Sequence, residues 1–208
     1  LGEYSALACV GSISFEDTLK ILQKRGKFMQ EAVPSGEGAM LAVLGIPSKE
    51  LDKILEINNE KYKCFIANDN SNLQVVVSGL KKDINLLSDD LNNKKIKNLK
   101  LNVSAPFHCK YMKTASEKMT SYINNLKIND LQKPIISNVT ANETSSSKEV
   151  KSLLISQIEK KVRWLESVEY MINNGVKNFV EIGPGKVLSG LIKRINKNVT
   201  VSSINSDE

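Results

Sequence analysis

Histidine is almost missing from this chain: His108 is the only one in 208 residues. Any chemistry that needs an imidazole rests on that residue alone. Cysteine is scarce as well. Cys9, Cys64 and Cys109 make an odd count without paired spacing, which argues against a disulfide framework and a zinc site and fits a reducing compartment. Long apolar runs are absent too. The longest, such as Val75-Val76-Val77, are far too short to span a bilayer. Arginine is the fourth shortage, with three residues against 26 lysines scattered among asparagines, as in Asn92-Asn93-Lys94-Lys95. A nucleic-acid surface usually clusters arginines with exposed aromatics. The lysine, asparagine and isoleucine bias matches the composition an A+T-rich genome imposes, and an acidic or phosphorylated partner suits the net charge of +6 equally well.

What remains is the composition of an ordinary globular protein, 41% hydrophobic and 25% charged, long enough for one domain or one domain with an inserted subdomain. The opening segment, Leu1 to Val10, starts inside a helical pattern with no initiator, signal or transit segment. A fragment of a longer protein is expected.

His108 comes after Ala105-Pro106-Phe107, where an expected strand, Ile96 to Val103, breaks and helical spacing begins at Tyr111, Met112, Ala115 and Met119. The pattern predicts His108 in the first turn of a helix, whose dipole would keep the ring neutral. Position alone leaves two readings open, a general base or a structural histidine satisfied by backbone. Cys109 adjoins it, but neighbours on a helix point about 100° apart, so Cys109 is expected to be a buried apolar residue.

Upstream, Ser14 and Asp17 resemble a capping box opening a helix to about Val33. Arg25 falls on its apolar face with Ile21, Leu22, Phe28 and Met29. A guanidinium on a buried face needs an anion, either a core carboxylate or the carboxylate of a substrate.

From Ala39 to Leu101 the pattern reads β-α-β-β-α-β. The elements are a strand Ala39 to Leu44, a helix from Ser48, strands Lys63 to Ala67 and Leu73 to Val77 joined by an asparagine loop, a helix over Ile84, Leu87 and Leu91, and the strand from Ile96. That order predicts a ferredoxin-like insert. Longer alternation comes next. A strand Ile135 to Val139 precedes a helix whose face carries Val150, Leu153, Leu154, Gln157 and Ile158, and another helix runs Val162 to Ile172. The strand Asn178 to Ile182, the turn Gly183-Pro184-Gly185, the helix Val187 to Ile195 and the strand Val199 to Ile204 complete the chain. Such alternation predicts a parallel sheet covered by helices. The glycine turn lacks the full spacing of a phosphate loop and is read as a tight strand-to-helix connection.

Several segments in this order resemble the malonyl-CoA:acyl-carrier-protein transacylases of type II fatty acid synthesis. Leu1-Gly2-Glu3-Tyr4-Ser5-Ala6-Leu7 resembles the stretch just after the serine of that family's Gly-His-Ser-Leu-Gly-Glu elbow. Gln23 to Gln30 resembles its arginine helix, and Gly38-Ala39-Met40 the start of its insert. Asn68 to Gly79 is similar to the insert's asparagine loop and central strand. Ala105-Pro106-Phe107-His108 resembles the catalytic-histidine segment, and Glu181 to Leu191 the C-terminal signature.

The resemblance implies an α/β-hydrolase-like large subdomain, residues 1–36 and 104–208, around a ferredoxin-like subdomain, residues 37–103. It implies ping-pong malonyl transfer from coenzyme A to the phosphopantetheine thiol of acyl carrier protein, through an elbow serine. His108 would be the acid–base, the backbone carbonyl of Gln157 its orienting group, and Leu1 a backbone N–H of the oxyanion hole. Arg25 would hold the malonyl carboxylate. Phe107, Asn68 and Met29 would line the substrate site, with Phe107 disfavouring an α-methyl group. The nucleophile itself would directly precede Leu1, outside this chain, and Ser5 lies too far along the helix to replace it.

The coenzyme A thioester would be a substrate, with no resident cofactor or metal and no nucleic acid or membrane as partner. A monomer is expected, in a bacterial cytoplasm or in a plastid or mitochondrial matrix. The alternatives are an elbow-serine hydrolase, against which Arg25 and the insert speak, and a non-catalytic domain that docks carrier protein.

Overall fold

The structure is a computed structural model that describes residues 1–205. Two helices open it. In α1 (Gly2–Cys9) the buried residues are Glu3, Tyr4 and Leu7, the spacing of one helix face. The Ser14 hydroxyl then accepts from the Asp17 N–H and caps α2 (Phe15–Gln30), whose buried face carries Ile21 and Met29. The predicted cap is therefore present.

The next segment builds a sheet from β1 (Gly38–Leu44), α3 (Ser48–Ile57), β2 (Cys64–Ser71), β3 (Gln74–Leu80), α4 (Lys81–Asn93) and β4 (Asn98–Lys100). In space the strands lie in the order β2-β3-β1-β4, each pair of neighbours antiparallel. Side chains alternate between the faces of a strand. Leu41 and Val43 accordingly pack with Leu51, Ile84, Leu87 and Leu91 under α3 and α4. Met40 and Ala42 turn to the opposite face, where Ala67, Val76 and Phe107 cover them. Both faces of β1 are thus buried.

After a 3₁₀ turn (Lys110–Met112), the chain forms α5 (Lys113–Asn125), a short hairpin of β5 (Ile135–Ile136) and β6 (Glu143–Thr144), α6 (Ser147–Ser156) and α7 (Trp164–Asn173). The parallel pair β7 (Asn178–Ile182) and β8 (Thr200–Ile204) is joined through α8 (Val187–Ile195). A second core gathers Tyr4, Leu7, Met112, Met119, Ile123 and Leu154 from α1, α5, α6 and the 3₁₀ turn. Gly183 and Gly185 take φ values of 127° and 89°, and the Glu181 carboxylate accepts from the Leu188 and Ser189 N–H groups. The tight strand-to-helix turn is as the sequence predicts, with Glu181 satisfying free donors of α8.

Four expectations need correction. The strand expected over Ile96 to Val103 pairs only over Asn98–Lys100, because the chain leaves the sheet to bring Ala105 and Pro106 against Gly38. The asparagine loop is strand as far as Ser71. Two register shifts keep its polar residues paired with β3, and the Asp69 N–H donates outward to the Val162 carbonyl. Only Ile135 and Ile136 of the strand expected to reach Val139 are paired. Finally, no helix starts at His108. That residue has φ 59°, the left-handed region a helix cannot continue through, and α5 begins only at Lys113. Among the described residues, the sheet of four strands is wholly antiparallel and parallel pairing within named strands is confined to β7 and β8.

Candidate active site

The loop that carries His108 is fastened to the small sheet. Gly38 on β1 has no side chain where Pro106 crosses it; a Cβ there would lie 2.2 Å from Pro106 Cδ and 2.8 Å from the Ala105 Cα. The Ser78 hydroxyl on β3 donates to the Phe107 carbonyl at 2.6 Å. The Cys109 thiol donates to the Pro106 carbonyl at 3.1 Å. Cys109 is buried, and burial pushes its thiol up to about 11, so it is the inert apolar residue the sequence predicts. Phe107 packs against the helical core and the sheet core alike. These contacts hold the unfavourable φ of His108, a strain that surrounding structure must over-determine.

His108 Nδ1 lies 2.9 Å from the Gln157 carbonyl. Gln157 caps the end of α6, and the last carbonyls of a helix have no partner within it. Its oxygen is free for that reason. A carbonyl only accepts, so Nδ1 carries the proton and the Nε2 lone pair is left free. Burial lowers the imidazole from 6.5 to about 4, the Gln157 hydrogen bond opposing and the charge of Arg25 assisting. The ring is neutral for these reasons and not because of a helix dipole. The Gln157 side chain is turned inward as expected. It is buried, and its amide donates to the Lys160 carbonyl.

Arg25 projects from α2 into the same region, its guanidinium carbon 5.8 Å from the Tyr4 ring centroid. Its Nε is buried with no hydrogen-bond partner, and no carboxylate pairs with it among the described residues. The core-carboxylate explanation of this partly buried arginine is thereby removed. Burial lowers its pKa, while Tyr4 and Glu3 favour the charge. The Leu1 backbone nitrogen lies in the same cluster, within electrostatic reach of Arg25 and His108. Arg25, His108, Gln157 and Leu1 are therefore brought together.

The other expected residues are less central. Met29 lies one turn beyond Arg25 but is packed in the helical core. Asn68 is half-buried in β2 and forms a parallel bridge with Val162. Ser5 is exposed on α1. Beside His108 opens a groove of about 450 Å³ lined by Phe65, Ile66, Lys110, Glu159, Lys160 and Lys161. Its three lysines are matched by the carboxylates of Asp52, Glu56 and Glu159, so the groove walls carry no excess charge of either sign. No three His, Cys, Asp or Glu side chains among the described residues are placed to hold a metal ion.

Sequence reasoning missed Glu3, Tyr4, Ser78 and Asn138. The spacing of Glu3 and Leu7 on one helix face could have marked Glu3 as buried. Asn138 sits in an irregular segment with no periodic signal to find it by.

Comparison with known proteins agrees with this geometry. The family model described as "Acyl transferase domain" matches residues 1–204. The malonyl CoA-acyl carrier protein transacylase of Bacillus subtilis (strain 168) is 41% identical over 210 residues, covering 100% of this chain. The chain spans 66% of that relative's length. The crystal structure of the corresponding Clostridium perfringens protein superposes with a TM-score of 0.93 at 43% identity, over 98% of this chain and 64% of that one. A malonyl-transacylase in complex with its type II PKS acyl-carrier protein gives a TM-score of 0.92 at 35% identity, over 99% and 66%. With a mixed α/β fold that matches solved malonyltransferases and a family match across nearly its whole length, this chain belongs to the acyl transferase domain family.

Proposed function

We propose that the whole protein transfers malonyl from coenzyme A to the phosphopantetheine thiol of an acyl carrier protein, in fatty acid synthesis. The observation that carries this reading is Arg25, whose Nε is buried without a hydrogen-bond partner within electrostatic reach of a neutral His108. A partly buried cation with no ion-pair partner among the described residues is arranged to receive one from a ligand. Malonyl presents such a carboxylate next to its thioester.

In this reading a serine directly before Leu1 is the nucleophile. His108 Nε2 takes its proton as the serine oxygen attacks the thioester carbonyl, and the Leu1 N–H stabilises the resulting oxyanion. The C–S bond breaks, and His108 returns the proton to the leaving coenzyme A thiol. The carrier thiol then gives its proton to His108, attacks the malonyl-serine and releases the serine oxygen, which recovers that proton. Gln157 fixes the ring throughout. Phe107 walls the acyl pocket, Met29 supports it from the helical core one turn beyond Arg25, and Asn68 lines the approach from the insert.

The reading divides the chain into an α/β-hydrolase-like unit, residues 1–36 and 104–208, and a ferredoxin-like unit, residues 37–103. It describes a monomeric enzyme with a coenzyme A thioester as substrate and no resident cofactor, acting in a bacterial cytoplasm or an organelle matrix. No helix among the described residues is long and apolar enough to cross a membrane. Mass spectrometry of the whole protein after brief exposure to malonyl-CoA tests the proposal. One malonyl group on the serine preceding Leu1, removed by added holo carrier protein, is the expected result. Release of free malonate in place of transfer would identify a hydrolase and overturn it.

A further inference from the structure

Glu3, one helix away from Arg25, is a second buried charge in the same cluster, only 9% exposed. It acts on Arg25 through space. Glu3 adjoins Tyr4, whose ring centroid lies 5.8 Å from the Arg25 guanidinium carbon, and a buried carboxylate beside a partly buried guanidinium would ordinarily pair with it. They do not. The Glu3 carboxylate instead accepts a 2.8 Å hydrogen bond from the Asn138 amide. Burial raises the Glu3 pKa, and the side chains of Asn138 and Ser137 work against that shift by favouring the carboxylate form.

Asn138 is itself held rigidly. Its carbonyl accepts from the Arg163 N–H at 3.1 Å. The Arg163 guanidinium donates to the carbonyls of Val139 and Thr140 and is anchored by Glu166. A loop with no periodic structure of its own is thus tied at three successive residues, and the amide that meets Glu3 has little freedom.

We propose that Asn138 is a positioning residue that keeps the Glu3 carboxylate turned away from Arg25, leaving the guanidinium free for the substrate's carboxylate. This rests on the transacylase reading. Without the Asn138 amide, Glu3 loses the strongest of its hydrogen-bonding partners and keeps only Ser137 and the Asn138 backbone, so the charge of Arg25 draws it more strongly. Glu3 would then compete with malonyl for the guanidinium. An acyl group lacking a carboxylate, such as acetyl, has no stake in that competition.

The test uses the whole enzyme and five variants. Asn138→Ala is expected to raise KM for malonyl-CoA about tenfold with kcat within about twofold, leaving acetyl-CoA transfer little changed. Adding Glu3→Gln, which cannot neutralise Arg25, is expected to return the malonyl KM to within about twofold of the parent. If the double variant stays as impaired as Asn138→Ala, or if Asn138→Ala depresses malonyl and acetyl transfer alike, the proposal is overturned. Should Asn138→Ala fail to fold, Asn138→Ser, with and without Glu3→Gln, asks the same question. Arg25→Ala run alongside separates the two levels. If it leaves malonyl transfer intact, the clamp reading itself falls; if it impairs transfer and Glu3→Gln does not rescue, only the role of Asn138 falls.

Discussion

The imidazole of His108 is oriented by the backbone of Gln157, Nδ1 to carbonyl oxygen, across 49 residues of sequence. A carbonyl in this place does what a carboxylate does in a Ser-His-Asp triad, without its negative charge. Orientation is kept, and the electrostatic support that would raise the pKa of the ring is weaker. That difference has a measurable consequence.

With burial holding His108 near 4, kcat/KM for malonyl-CoA should stay level from about pH 8 down to about pH 5. The folded pKa lies below the ordinary 6.5, so the unfolded chain binds the extra proton first. Stability should therefore decline as pH falls from about 6.5 toward 4, and His108→Gln should flatten that part of the profile. An acid limb centred on 6.5 would contradict this assignment.

Arg25→Ala should lower kcat/KM for malonyl-CoA by roughly 10- to 100-fold, the scale of a lost charged hydrogen-bonding pair. Acetyl-CoA, lacking the carboxylate, should be affected far less or even used better. Arg25→Lys should fall between, since an ammonium cannot reproduce the two-pronged contact. Steady-state kinetics with both thioesters decide the matter.

Phe107→Val should raise the use of methylmalonyl-CoA relative to malonyl-CoA by about tenfold, since one methyl group is worth about 1–3 kcal/mol of discrimination. Phe107 also bridges the two cores, so a small fall in melting temperature should accompany the change. Competition assays with a mixture of the two thioesters give the ratio directly.

Gly38→Ala should be more damaging than either pocket variant. A Cβ 2.2 Å from Pro106 Cδ and 2.8 Å from the Ala105 Cα must push the His108 loop off the sheet, and overpacking of this kind costs about 1–3 kcal/mol. Loss of activity together with a lower melting temperature is expected. Full activity would show that the loop tolerates displacement.

Much of this was readable in the chain. The order of elements from β1 to β4 came from alternation and helical spacing, and Arg25 stood out because its neighbours at three and four residues are apolar. Gln157 could be placed on an inward face for the same reason. The geometry around His108 was not readable. A left-handed φ on a non-glycine residue is imposed by contacts with Gly38 and Ser78, 70 and 30 residues away, which no local pattern announces. The helix expected there gave way because those contacts outweigh intrinsic preference. Likewise, a polar run such as Asn68 to Ser71 reads as a loop, yet pairing with β3 and with Val162 keeps it extended.

The pairing of Val162 with β2 has a mechanical side. The Val162 N–H donates to the Ala67 carbonyl while its own carbonyl accepts from Asp69, stitching the segment just after Gln157 to the small sheet. Pro106 and Phe107 are seated on that same sheet through Gly38 and Ser78. His108 and Gln157 are therefore both tied to the sheet, yet Gln157 also ends α6, and Leu154 and Ile158 on either side of it are buried in the helical core. The hydrogen bond between them thus sits on the seam of the two cores, and a shift of one core against the other would be felt first as a change in the aim of the imidazole.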